Sequence, residues 1–194
     1  MDRKIRVAIN GFGRIGRMFT RRVYGHYRDK IEIVAINDLG SAEALAHLLQ
    51  YDSVQGAWNA AIEYDGNTLS IEGDGIPLTA ESDPKKLDWT GVQPDLVLEA
   101  TGRLKRQNQA QMHIQAGAPR CIITAVAEGE DVKTVVLGAN ERILDGSEQI
   151  ISNASCTTNC AAPLVDIIDR ECGIESGFIT TVHSYTGDQS LHDR

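Results

Sequence analysis

Ile5-Arg6-Val7-Ala8-Ile9-Asn10-Gly11-Phe12-Gly13-Arg14-Ile15-Gly16 decides the fold. Positions 5 to 9 are a short apolar run of strand length, and a Gly-x-Gly-x-x-Gly follows at positions 11 to 16. Beyond it, Ile15, Met18, Phe19 and Val23 recur at helical spacing, so the glycines sit on a strand-to-helix turn. Gly11 permits the tight turn, Gly13 lets the backbone approach a pyrophosphate, and Gly16 allows close helix-to-strand packing. Phosphates would then lie at the helix N-terminus, where N–H groups lack intrahelical partners. A second apolar run, Ile31-Glu32-Ile33-Val34-Ala35-Ile36, ends at Asn37-Asp38. An acidic residue at this distance from the glycines is placed to accept adenosine ribose hydroxyls. A carboxylate there would repel a 2′-phosphate, so Asp38 favours NAD over NADP. The alternative for Asp38 is a helix N-cap or turn residue.

Working outward, a helical pattern covers positions 42 to 50, with Ala42, Leu45, Ala46, Leu48 and Leu49 apolar. The stretch from 61 to 71 alternates around Asp65-Gly66, a hairpin signal, and a short extended piece follows at Ile76-Pro77-Leu78. Asp95-Leu96-Val97-Leu98-Glu99-Ala100 returns to an apolar strand closed by Thr101-Gly102. A helix from about 105 to 116, strands at 121 to 124 and 134 to 137, and a strand at 149 to 151 continue the alternation. The expected fold is α/β: a Rossmann-type, doubly wound, mostly parallel sheet with a hairpin insertion. Ligands of such sheets lie beyond the carboxyl ends of the strands, where the glycine loop, Asp38, Thr101-Gly102, Thr124 and Ser155-Cys156 all fall.

The last strand leads into Ser152-Asn153-Ala154-Ser155-Cys156-Thr157-Thr158-Asn159-Cys160, followed by an apolar helical pattern. A cysteine at a helix start meets unpaired N–H groups and the positive end of the dipole, which favour the thiolate. Cys156 is therefore the candidate nucleophile. Its alternative is a small buried hydrophobe. Further on, Thr180-Thr181-Val182-His183-Ser184-Tyr185-Thr186 supplies His183 as a candidate base, or else a satisfied core histidine in a β-rich run. His26, His47, His113 and His192 have no comparable context. Cys160, one helical turn past Cys156, is expected to point into the packing behind it.

The chain has 194 residues, 42% apolar and 24% charged, with a net charge of −8. That composition suits a globular domain, and the negative field argues against nucleic acid or an anionic membrane as partner. No leader pattern and no membrane-length apolar run is present. The four cysteines, Cys121, Cys156, Cys160 and Cys172, lack both a disulfide framework and a tetrahedral metal set, which fits a reducing cytoplasm and no metal.

The quoted segments, Ala35-Ile36-Asn37-Asp38 and Thr180-Thr181-Val182-His183 resemble phosphorylating glyceraldehyde-3-phosphate dehydrogenase, and the similarity runs through nearly the whole chain. The resemblance implies Cys156 as nucleophile and His183 as the base that activates it. NAD is implied as cofactor, held by the loop Gly11, Phe12, Gly13, Arg14, Ile15 and Gly16, by Asn37 and Asp38, by Thr101 and Gly102, and by Thr124 on the nicotinamide side. Ser155, Thr157 and Thr186 would meet a phosphorylated aldehyde or its phosphate sites. The implied chemistry is a thiol adduct, oxidation to a thioester, and release by inorganic phosphate as an acyl phosphate. Erythrose-4-phosphate dehydrogenase and an inactive NAD-binding fragment are the other readings. The pattern differs from the family at Ser82, at Arg103 and at Thr124-Ala125-Val126-Ala127. Two parts are expected: an NAD-binding domain over 1–155, and over 156–194 the beginning of an α+β catalytic domain, with a strand across 178 to 185. Family members are longer, so the chain is expected to be the N-terminal portion of a homotetrameric enzyme, inactive by itself.

Overall fold

The computed structural model describes residues 3–186. In chain order these form β1 (Ile5–Asn10), α1 (Arg14–Arg22), β2 (Ile31–Asn37), α2 (Ala42–Gln50), β3 (Tyr51–Asp52), β4 (Gly56–Ala57), β5 (Ile62–Asp65), β6 (Thr68–Ile71) and β7 (Asp74–Thr79). They continue with β8 (Leu96–Glu99), α3 (Gln107–Gln115), β9 (Cys121–Ile123), β10 (Lys133–Thr134), β11 (Ile150–Ser152) and α4 (Cys156–Cys172).

Nine strands make one sheet in the order β10-β11-β9-β8-β1-β2-β7-β6-β5. From β10 to β7 every pairing is parallel, and β7-β6-β5 is an antiparallel ribbon joined at its edge. The chain winds one way from β1 through β2 and the other way through β8, so the order reverses between β1 and β8. This is the doubly wound Rossmann-type sheet that the alternation predicts, and its ligand crevice lies at that reversal.

The central strands are buried on both faces. Val7, Ala8, Ile9, Ile36 and Val97 are sealed from solvent, and Leu45 and Leu49 of α2 close one side. Trp89, Val34 and Ala118 pack on the other. Helix α2 begins at Ser41, whose Oγ accepts the Ala44 N–H at 3.2 Å, a cap that settles one first-turn donor.

Three expectations are corrected. The strand across 178 to 185 does not form: residues 173–186 carry no ladder, and Phe178 and Val182 are fully exposed. β propensity reflects fit against neighbouring strands, and no strand among the described residues pairs with this segment. The strand at 134 to 137 shrinks to β10, because the Val136 N–H is taken by Asn140 Oδ1 at 2.7 Å and the chain turns there. Cys160 is exposed instead of packed, since α4 buries none of its residues among the described ones. His192 lies outside the described residues.

Candidate active site

The glycine turn is compact because side chains are impossible at two of its positions. Gly11 has φ +92°, and a Cβ there would lie 2.6 Å from Thr101 N. At Gly16 a Cβ would stand 2.5 Å from the Gly11 carbonyl oxygen. Both distances are well inside contact, so the loop after β1 rests directly on the loop after β8. Gly13 differs: a Cβ there would meet nothing within 4 Å. That open space adjoins the first turn of α1, whose N–H groups at Arg14, Ile15 and Gly16 no intrahelical carbonyl can reach.

Asp38 follows β2 and closes on the same loop. Its Oδ2 accepts the Phe12 N–H at 2.6 Å, and its Oδ1 accepts the Gly40 N–H at 2.9 Å. The cap of α2 is Ser41, so Asp38 does not serve as that cap. Beside it, a cavity of about 810 Å³ is lined by Leu39, Leu78, Glu81, Lys86 and Trp89 among others. The Arg14 guanidinium is turned to Asp52, its Nη1 donating at 2.9 and 3.1 Å. Asp52 is a partner that the sequence pattern gave no reason to pick. The Gln55 N–H foremost, with the Val54 N–H and Arg14, holds its carboxyl down to about 2. Arg17 donates from Nη1 to the Phe12 carbonyl at 2.8 Å, while its buried Nε has no protein partner. Burial first, and then Arg14, lowers its pKa.

Thr101 and Gly102 are exposed at the end of β8. Thr124 ties back to that strand, its N–H and its hydroxyl both donating to the Glu99 carbonyl, at 2.9 and 3.0 Å. The loop before α4 is fastened to the same edge: the Asn153 N–H donates to the Ile123 carbonyl at 2.9 Å and Ser152 Oγ to the Ala125 carbonyl at 2.6 Å. Ser152 Oγ also accepts the Ala154 N–H at 3.1 Å, which holds Ala154 at φ +59°. A left-handed alanine is a small store of strain immediately ahead of the helix.

Cys156 is the first residue of α4, and Ser155 is its cap, with Oγ accepting the Thr158 N–H at 3.0 Å. Asn159 reaches back to the Asn153 and Ser155 carbonyls at 2.7 and 2.9 Å and fixes the turn. The Cys156 sulfur stands 3.1 Å from His183 Nε2. His183 Nδ1 donates to the Ser184 carbonyl at 2.5 Å, which leaves Nε2 facing sulfur free to take its proton. His183, first, and then Thr157 through its N–H and hydroxyl lower the Cys156 thiol below its ordinary range. The Ser184 carbonyl and Cys156 in turn raise His183. Thr157 is partly buried beside the sulfur, and Thr186 is exposed three residues past the histidine.

The fold and these residues define a dinucleotide-binding sheet that carries a helix-borne thiol paired with an imidazole. Residues 5–107 match the family model described as glyceraldehyde 3-phosphate dehydrogenase, NAD binding domain, and residues 155–194 match that of the C-terminal domain. Similar proteins include glyceraldehyde-3-phosphate dehydrogenase of Pseudomonas aeruginosa, 50% identical over 97% of this chain and 57% of the relative. That of Thermotoga maritima is 51% identical over 97% of this chain and 56% of its own length. The chloroplastic A form of Chlamydomonas reinhardtii is 47% identical over 99% of the chain and 52% of the relative. The chain belongs to the glyceraldehyde 3-phosphate dehydrogenase family and carries its NAD-binding domain, and it spans just over half the length of these relatives.

Sequence reasoning passed over Glu99, His113 and Asn10, which lie buried behind the crevice. The signal available was a carboxylate closing an otherwise apolar strand, Leu96-Val97-Leu98-Glu99.

Proposed function

We propose that this protein oxidises glyceraldehyde 3-phosphate with NAD and inorganic phosphate to 1,3-bisphosphoglycerate, through a thioester on Cys156. The observation that carries this reading is the 3.1 Å approach of His183 Nε2 to the Cys156 sulfur at the head of α4, in a chain of this family. The cofactor half rests on residues that suit a dinucleotide. The open space at Gly13 and the first-turn N–H groups of Arg14 and Ile15 would take the pyrophosphate. Asp38 would hold the adenosine ribose, with Asn37 behind it and the cavity beside it for the base. Thr101, Gly102 and Thr124 would border the nicotinamide half.

In the chemical half, His183 takes the thiol proton, Cys156 attacks the aldehyde carbon, and His183 returns that proton to the former carbonyl oxygen to give a neutral hemithioacetal. His183 then accepts the proton of the adduct's hydroxyl. Bound NAD supplies the two-electron acceptor for the oxidation. Ser155, Thr157 and the N–H groups heading α4 steady the oxyanion, and phosphate displaces the acyl group from sulfur. Thr186 would meet a phosphate of the substrate. Residues 1–155 would form the cofactor domain and 156–194 the start of the catalytic one. A homotetramer in the cytoplasm accords with this reading, and no helix among the described residues is long and apolar enough to cross a membrane.

Two measurements test it. NAD titrated into the protein by calorimetry is expected to bind, and Asp38→Ala to weaken binding at least tenfold (about 1.4 kcal/mol). NADH formation with glyceraldehyde 3-phosphate and phosphate is expected to vanish in Cys156→Ser. Binding without turnover would keep the cofactor half and reject the chemical half for this chain.

A further inference from the structure

Glu99 ends β8 inside the protein with 2% of its surface exposed, and among the described residues no Lys or Arg pairs with its carboxylate. Its Oε2 accepts from Asn10 Nδ2 at 2.6 Å and meets His113 Nε2 at 2.9 Å. Its Oε1 accepts the Thr101 N–H at 2.8 Å and also meets the Thr101 hydroxyl.

The direction of each bond follows from groups that have no choice. An indole N–H only donates, so His113 Nδ1, 3.3 Å from Trp89 Nε1, is an acceptor and the ring proton sits on Nε2, toward Glu99. On the other side, Asn37 is oriented by main chain: its Oδ1 accepts the Glu81 N–H at 2.9 Å and its Nδ2 donates to the Glu81 carbonyl at 3.0 Å. Asn37 Nδ2 also donates to Asn10 Oδ1 at 2.8 Å, which leaves Asn10 Nδ2 for Glu99. Donors therefore converge on one carboxylate from both sides of the crevice. A network so directed and so fully satisfied specifies one arrangement.

We propose that Glu99 is a positioning residue for the dinucleotide, whose carboxylate fixes the ends of β1 and β8 and the Thr101 turn at the width that the cofactor's crossing requires. The inference rests on the dinucleotide reading above. The Asn10 bond joins the two strands between which the sheet order reverses, and the Thr101 N–H that Glu99 holds is the atom against which Gly11 packs. Loss of the carboxylate frees both loops at once. Even an isosteric amide fails here. Its NH₂ would face the Asn10 and His113 donors in one orientation and the Thr101 N–H in the other. An unmatched buried donor of this kind is worth at least about a tenfold change in affinity.

The test compares NAD with AMP, whose contacts would centre on Asp38 at the end of β2, away from the β1–β8 link. Binding of each to the protein, to Glu99→Gln and to Asn10→Ala is measured by calorimetry. NAD is expected to weaken at least tenfold in both variants while AMP stays within about twofold. Asn10→Ala removes the link between strands, leaves the carboxylate its other three donors and leaves Asn37 held by the Glu81 main chain, so it decides the matter if Glu99→Gln does not fold. NAD affinity unchanged in the folded variants overturns the proposal. A parallel fall of NAD and AMP also overturns it, because that is what general loosening would give. Failure of the unaltered protein to bind NAD would instead overturn the dinucleotide reading, and this inference with it.

Discussion

Cys156 owes its predicted reactivity to groups that stabilise charge on sulfur without burying it. The His183 ring contributes most, followed by the Thr157 N–H and hydroxyl, and the sulfur remains open to a reagent. The same contact raises His183, after the Ser184 carbonyl, so the two titrations are displaced toward each other. The lowered thiol and the raised imidazole both shift the pair toward thiolate beside imidazolium. An ordinary thiol near 8.5 is only about 3% ionised at pH 7. Alkylation of Cys156 by iodoacetamide is therefore expected to inflect below that ordinary value. In His183→Asn the inflection should move up toward it, with a rate at pH 7 lower by about tenfold or more. An inflection that stays in place would show that the imidazole does not set the thiol's state.

The glycine loop separates what a strand-to-helix turn needs in order to fold from what it needs in order to bind. Gly11 and Gly16 are packing positions, since a methyl group at either would overlap main-chain atoms. Gly16→Ala is expected to cost about 1–3 kcal/mol, read as a lower melting temperature. Gly13, at φ −69° with nothing near its missing Cβ, should accept alanine with an unchanged melting temperature. Yet Gly13→Ala should weaken NAD at least tenfold (about 1.4 kcal/mol), because the methyl occupies the space left for the pyrophosphate. Wild-type affinity in that variant would mean that the phosphates lie elsewhere. This loop was legible in the sequence because its spacing is local: strand, three glycines and helix lie within a few turns of chain. Helix α2 was legible for the same reason, from its apolar period. What stayed hidden is non-local. Asn10 and Glu99 are 89 positions apart, and only the pairing of β1 with β8 brings them together. The Cys156–His183 approach was suggested by residue types and by the resemblance, while its geometry depends on the path of residues 173–183, whose second half falls in the stretch 178–185 that the pattern misread as a strand.

Across the whole molecule, burial is uneven. The sheet and its flanking helices bury apolar clusters on both faces, whereas α4 and the described segment after it leave their large apolar side chains largely in water. Leu164, Val165, Ile167 and Ile168 recur at helical spacing and form one exposed stripe, joined in sequence by the exposed Phe178 and Val182. Contiguous apolar surface of this kind, unlike single exposed leucines, promotes association. The chain is thus expected to bind an apolar dye such as ANS and to self-associate with rising concentration. Ile167→Lys with Ile168→Lys should reduce both effects while leaving unfolding free energy within about 0.5 kcal/mol per site, because about half of each side chain already faces water and a lysine stem can cover the rest. Leu49→Ala, at a fully sealed position, should cost about 2–5 kcal/mol in the same assay. Urea melts of the three proteins, with dye titration and sedimentation, separate the cases. If the lysine pair destabilises the chain by a core-like amount, the stripe on α4 is covered in solution, and the division between a packed cofactor sheet and an uncovered helix fails.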